Sequence, residues 1–281
     1  MPLRWRPDGD YLADLPHTRR VMPLIMRNRN ESTVYYEQDL DVEHTWEYLE
    51  KIREESGVKV TILHLLIWRA AQVLHIRPGL NRFVAGRRIY QRRGIWVTFS
   101  MKKAMTAGSP DVMVKHRIDP TLSLVETAEQ LLEGIHRGRS EDKSFTDMEM
   151  SILFKLPVWL VSTFAWLLMR IDHLGLLPGF MLEEDEMYAS LAIANLGSIG
   201  LQPAYHHLYE YGNIPIFIAA GKKVPRMIVG EDGRPAVRDI MTIRYTFDER
   251  IHDGFYGIQA LELFKHLVEH PEEEIDLDDC S

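Results

Sequence analysis

Cysteine is nearly absent from this chain. The only one among 281 residues is Cys280, so no disulfide can close within the chain, which fits a reducing compartment. Excess positive charge is absent too. The 33 Lys and Arg against 41 Asp and Glu give a formal charge of −8, which disfavours non-specific nucleic-acid binding and favours solubility. There is no Gly-rich phosphate loop, no Ser nucleophile elbow and no Cys-His pair. The N-terminus lacks a charged-then-apolar signal pattern. The uncharged run Leu156–Met169 is too short for a membrane-spanning helix, which needs about 20 residues. The expected location is cytoplasmic.

What is present is ordinary for a soluble globular protein: 46% hydrophobic and 26% charged residues, enough to bury a sizeable core. Residues 1–16, with Pro2, Pro7 and Pro16, are expected to form an N-terminal arm on the surface or on a neighbour. His17–Met26 is a short basic, apolar stretch. Alternation over Thr33–Val42 predicts a strand. A helix follows over 42–55, stopped by Gly57, and Thr61 caps a strongly apolar helix over 62–74 that ends at Arg77, Pro78 and Gly79. Strands are predicted at 82–84, 88–91, 94–102 and 111–116, with a helix over 122–137. The continuous apolar runs 188–194 and 214–221 predict buried strands. A turn at 231–234 joins strands ending at Val229 and starting near Ala236. Residues 273–281 predict a solvated acidic tail.

The densest chemistry lies in one turn. Asp239–Phe247 alternates as a strand, and Ile258–Val268 carries apolar residues at helical spacing. Between them lie Asp248, Glu249, Arg250, His252, Asp253 and Gly254. Turns held between two rigid elements are common places for chemistry. A salt-bridge network of Asp248, Arg250 and Asp253 that stabilises the turn is the plainer reading of those three residues. His206, His207 and Glu210, with Glu249 and His252, are conceivable metal ligands. Their spacing matches no recognisable zinc pattern, and no metal is expected.

The turn resembles the active-site motif of the catalytic domain of dihydrolipoamide acyltransferases, the cores of 2-oxo acid dehydrogenase complexes, and the related motif of chloramphenicol acetyltransferase. The family pattern is Asp-His-Arg-x-x-Asp-Gly. Asp248, Arg250, Asp253 and Gly254 match it, and Glu249 stands at the His position. Thr61–Ala71 followed by Arg77–Asn81 resembles the family's second helix and its Pro-x-x-Asn ending. Leu191–Gly200 is similar to its Thr-x-Ser-Asn-Leu-Gly segment, keeping Asn195 but with Ala194 in place of Ser. Ile216–Lys222 is similar to its apolar strand ending in Gly.

The resemblance spans 17–272. It implies a two-layer α/β, chloramphenicol acetyltransferase-like fold with a large mixed sheet, flanking helices and a homotrimer whose active sites lie between subunits. It also implies acyl transfer between CoA and a thiol or other acceptor. In the family the His takes the thiol proton and the Ser donates to the tetrahedral oxyanion. Both are replaced here. Glu249, His252 and Asp253 are therefore the candidate catalytic residues, with Glu249 or His252 as base. Asp248, Arg250, Gly254, Asn195 and Ala194 are expected to be structural at the site. A catalytically inactive core or binding subunit is the alternative. No lipoyl domain is recognisable, so another chain is expected to deliver the acyl group.

One part is extra. At 144–186 the family has a short helix and connector, whereas here residues 150–182 are apolar on nearly every face. Such a segment must be covered. Burial against a neighbouring subunit, a membrane surface contacted through Trp159 and Trp166 between Lys155 and Arg170, and a pocket for a long acyl chain are the three readings.

Overall fold

The computed structural model describes residues 5–102, 111–140, 155–230 and 233–278; Cys280 lies outside them. The strands are β1 (Trp5–Arg6), β2 (Gly9–Tyr11), β3 (Thr33–Asp41), β4 (Arg82–Ala85), β5 (Arg88–Arg92), β6 (Ile95–Lys102), β7 (Asp111–Ile118), β8 (Leu191–Asn195), β9 (Ile216–Val229) and β10 (Pro235–Asp248). The helices are α1 (His17–Ile25), α2 (Glu43–Ser56), α3 (Ile62–Ile76), α4 (Leu124–Ser140), α5 (Val158–Leu174), α6 (Gly179–Glu184) and α7 (Gly254–Glu269).

Two sheets follow. The large one has the order β3-β10-β9-β8-β6-β7. It is mixed: β8 runs parallel to both β6 and β9, and the other pairs are antiparallel. Helices α2, α3, α4 and α7 form the second layer, and the main core lies between them and the sheet. Leu65, Leu66, Ile67 and Ala71 of α3 are fully buried there with Val97, Ile243 and Val268. The small sheet, β1-β2-β5-β4, is antiparallel throughout. The α/β class with a large mixed sheet is the one expected from the sequence.

Several elements differ from the sequence reading, each for a local reason. The strands expected at 214–221 and ending at Val229 are one strand, β9, paired along its length with β10. Its first half is buried, and its outer half alternates between exposed and half-buried residues. A register shift between Met241 and Ile243 of β10 marks the change. The basic stretch at 17–26 is helical and keeps Pro23 inside the helix.

The expected N-terminal arm is instead paired into the small sheet through β1 and β2. The cause is a buried charge that hydropathy does not reveal. Arg6 donates through Nε to Asp8 (2.9 Å), and through Nη2 and Nη1 to the carboxylate (2.8 Å) and backbone carbonyl (2.7 Å) of Asp172 in α5. Burial opposes the Arg6 charge, but its bonds to Asp8 and Asp172 outweigh burial and raise its pKa. The acidic tail is likewise anchored at its start. Arg69, buried in α3, donates to the carbonyls of Pro271 (2.7 Å) and Glu273 (2.8 Å), and Glu273 pairs with His266 (2.8 Å).

His64 is buried in α3, where its Nδ1 accepts the Thr61 amide at 3.3 Å. Burial alone lowers its pKa to about 4. The unfolded chain, with His near 6.5, therefore binds a proton that the folded one refuses as pH falls. Stability should decline between pH ~6.5 and ~4, by about 1.4 kcal/mol per pH unit from this group. Urea unfolding at several pH values should show that slope, and His64→Gln should flatten it.

Candidate functional site

The turn after β10 is built around a buried ion pair. Asp248 ends the strand almost inaccessible to solvent, and Arg250 folds back onto it. Arg250 donates through Nε to Asp248 Oδ1 (2.8 Å) and through Nη2 to Oδ2 (2.6 Å). This planar, two-point match is the strong form of the Arg–carboxylate bond. Oδ1 also accepts the Arg250 amide and the Ser32 hydroxyl, both at 3.1 Å. The remaining Arg250 nitrogen, Nη1, reaches the carbonyls of Met26 (3.2 Å) and Arg27 (3.3 Å). The pair thus ties the turn to the connection between α1 and β3.

Arg29, in the same connection, is also buried. It donates to the carbonyls of Tyr209 (2.8 Å) and Gly212. Burial lowers its pKa, and the field of Asp248 opposes that fall.

Glu249 is held by its backbone alone. Its amide donates to Ser32 O (3.0 Å), and its carbonyl accepts from Arg19 Nη1 (2.7 Å). Its side chain is half-buried, and its carboxylate has no hydrogen bond or ion pair among the described residues.

Asp253 differs from the sequence expectation. It does not pair with Arg250. It caps α7 by accepting the Tyr256 amide at 3.0 Å. That bond is the main reason its pKa lies below the ordinary carboxylate value. The Arg–carboxylate bridge at the turn therefore joins Arg250 to Asp248, while Asp253 serves the orphan amides of the next helix and lies 3.1 Å from His252 Nδ1.

His252 is stacked and occupied. Its ring lies 3.7 Å from the Tyr256 ring centroid, at 25°. Its Nδ1 lies 3.0 Å from the Asp253 amide nitrogen and 3.1 Å from the Asp253 carboxylate. Burial lowers its pKa; the Asp253 charge opposes this, and Arg82 and Arg19 reinforce it. Asp253 thus engages this nitrogen through both its backbone and its side chain.

Tyr256 and Gly79 complete this corner and were not singled out from the sequence. Tyr256 OH accepts the Gly79 amide at 3.2 Å. A Cβ at Gly79 would lie 2.6 Å from His252 Cδ2 and 2.9 Å from Tyr256 Cε1. The segment Arg77–Asn81 therefore packs directly on the turn, which explains why a residue without a side chain stands there. Arg82 follows it, half-buried, and burial lowers its pKa as well.

Ala194 and Asn195 lie elsewhere. Ala194 is level with Ala219 of β9, which is level with Arg244 of β10. Glu249 is five residues beyond Arg244, so it lies roughly 17 Å along the sheet and two strands, roughly 10 Å, across from Ala194. Within one chain the two altered positions do not meet. Asn195 accepts the Ser198 amide (3.2 Å) and caps the turn Leu196–Ile199. The Ser198 hydroxyl is spent on Asn195 O (2.7 Å).

The histidine pair is occupied too. His206 stacks on Phe217 at 3.9 Å and 5°. Glu210 accepts the amides of Arg29 (3.2 Å) and Asn30 (3.1 Å) rather than facing a ring. Among the described residues no three His, Cys, Asp or Glu side chains converge as a metal site.

With this geometry in hand, comparison with known proteins gives a consistent answer. Residues 181–275 match the family model of the 2-oxoacid dehydrogenases acyltransferase (catalytic domain). No curated protein sequence matches. A probable dihydrolipoamide acetyltransferase from Listeria monocytogenes superposes with a TM-score of 0.63 at 18% identity, covering 96% of this chain and 99% of that one. The Azotobacter vinelandii dihydrolipoamide acetyltransferase, in which a serine, a histidine and an asparagine were investigated in the catalytic mechanism, gives 0.61 at 15% identity over 92% of each chain. The cubic core of a pyruvate dehydrogenase multienzyme complex gives 0.60 at 15% identity over 92% of each chain. The resemblance expected from the motifs thus holds in the sequence of the C-terminal third and in the fold of the whole chain.

Two substitutions separate the roles of the two aspartates. Asp248→Ala leaves Arg250 buried without its partner and should cost about 3–5 kcal/mol. Asp253→Ala removes a helix cap and should cost about 1 kcal/mol. Denaturant unfolding of both variants measures the difference; equal costs would contradict the assignment.

Proposed function

We propose that this chain is an acyltransferase of the 2-oxo acid dehydrogenase core type, transferring an acyl group between CoA and a thiol or other acceptor, with Glu249 as the base. One observation carries this reading. The turn keeps its buried Asp248–Arg250 frame and presents at the His position an ionisable side chain that no partner among the described residues occupies. A carboxylate there can accept the acceptor's proton as its sulfur or oxygen attacks the thioester carbonyl, and return that proton to the CoA thiolate as the carbon–sulfur bond breaks. His252 is less suited, because Asp253 engages its Nδ1 through amide and carboxylate and its ring is stacked on Tyr256.

The site requires more than one copy. Ala194 and Glu249 lie far apart in the chain, so a neighbour's β8 end would have to face the turn, as in a homotrimer or a larger assembly. The family's cubic cores make such an assembly a natural expectation. Residues 17–272 act as one core unit, carrying the insertion at 144–186. The acyl group reaches the site from acyl-CoA or from a lipoyl group. A cytoplasmic setting supplies both.

A second reading is favoured by Ala194. A methyl group cannot donate to an oxyanion, and losing one such donor costs about 10²–10³ in rate. On this reading the chain is a non-catalytic core or binding subunit.

Glu249→Gln separates the two. If Glu249 is the base, turnover of acetyl-CoA with a small dithiol should fall by about 10²–10⁴, while the mass in solution and CoA binding by calorimetry stay unchanged. Equal turnover in both proteins removes Glu249 as base. CoA binding without turnover in the unaltered protein establishes the second reading.

A further inference from the structure

The described part of the apolar insertion, residues 155–186, carries a largely exposed helix. Helix α5 is uncharged from Leu156 to Met169 apart from its flanks, Lys155 and Arg170, and it is exposed along most of its length. Val158 is 77% exposed, Trp159 68% and Trp166 53%, and Phe180 of α6 is 67% exposed. Among the described residues, only the C-terminal end of α5 is fixed to the body. Asp172 is buried there against Arg6 (2.8 Å), and the His173 carbonyl lies so close to Gly86 that a Cβ there would be 2.0 Å away. Leu168 and Ile171 pack on the small cluster of Leu177, Leu182 and Tyr188. The opposite, outward face carries Trp159 and Trp166, with Leu167 at its edge, and Phe164 is exposed one turn before Leu168.

We infer that this outward face of α5, extended by Phe180, is a lipid-binding surface that seats the protein on a membrane without crossing it. Two observations favour a lipid occupant; among the described residues no helix is long and apolar enough to cross a membrane. Trp159 and Trp166, seven residues apart, are exposed on one face of α5, and indole rings prefer the level of lipid headgroups. The charges are the second and decide between occupants. The charged groups at the ends of the apolar run, Lys155 and Arg170, are both basic, and the only carboxylate on α5, Asp172, is buried in its pair with Arg6.

A second copy meeting α5 through the same face would therefore offer Arg170 no carboxylate from that helix. A lipid surface offers phosphate, which Lys and Arg reach by extending past the apolar layer. Arg170 already lies over the Trp166 ring, at 5.1 Å, so it and the indole can occupy the same depth.

Flotation of the full chain with phosphatidylcholine vesicles, with and without phosphatidylglycerol, tests this. The protein should float with both and more strongly with phosphatidylglycerol. Trp159→Ser combined with Trp166→Ser should lower partitioning at least about tenfold, with an unchanged circular dichroism spectrum because both side chains are exposed. Arg170→Gln should lower it about fivefold on the anionic vesicles alone. Absence of the protein from both vesicle fractions overturns the proposal. So does self-association that the double substitution abolishes in the absence of lipid, because it assigns the face to a second copy.

Discussion

The Asp248–Arg250 pair is the interaction on which the candidate site depends. It is buried, two-pointed and linked to backbone carbonyls on the far side. An Arg with its carboxylate removed would be a bare charge in the interior, which is why such a pair tolerates almost no change once it is in place. Through it the end of β10, the start of β3 and the connection from α1 become one rigid corner. Arg29 brings the 209–212 segment into the same corner. The residue between the pair, Glu249, is positioned by this frame and contributes only backbone groups to it.

A second buried charge system organises the opposite side. Arg6, Asp8, Arg92, Asn213 and Asp172 form a chain of bonds, with Arg92 Nη2 donating to Asn213 Oδ1 (2.6 Å) and Asn213 Nδ2 donating to Asp8 (2.8 Å). Burial lowers the Arg92 pKa to about 10 and raises that of Asp172, so the network is a compromise between desolvation and pairing. It joins the first strand, the small sheet and the last turn of α5. Helix α5 is therefore held at its C-terminal end by these polar contacts and by the cluster of Leu177, Leu182 and Tyr188, and leaves its outward apolar face exposed.

The strands of the large sheet were legible because burial on both faces, or on one, leaves a continuous or alternating apolar pattern. The turn was legible because Asp248, Arg250, Asp253 and Gly254 keep a recognisable spacing. Other features were hidden for physical reasons. Asp248 and Asp253 look equivalent in sequence, yet one is neutralised by Arg250 and the other by a helix amide. That distinction depends on where the backbone turns. The contact of Gly79 with His252 and Tyr256 joins residues far apart in the chain, and no local pattern encodes it. The N-terminal strands were read as an arm because their anchor, Arg6, is a charged residue that ordinarily signals exposure.

On the acyltransferase reading proposed above, the same geometry bears on how positions 249 and 194 can vary while the fold is kept. At position 249 the structure uses the amide and the carbonyl, which every residue but proline supplies. At position 194 it uses the strand ladder with Ala219. Among the described residues the Glu249 carboxylate has no hydrogen bond or ion pair, whereas Ala194 packs half-buried against the cluster of Ala189, Ala192 and Phe217. A change of side chain at 249 therefore leaves the frame unstrained, and a change at 194 must fit that cluster. The frame residues have no such freedom, because Asp248 and Arg250 each satisfy a buried partner.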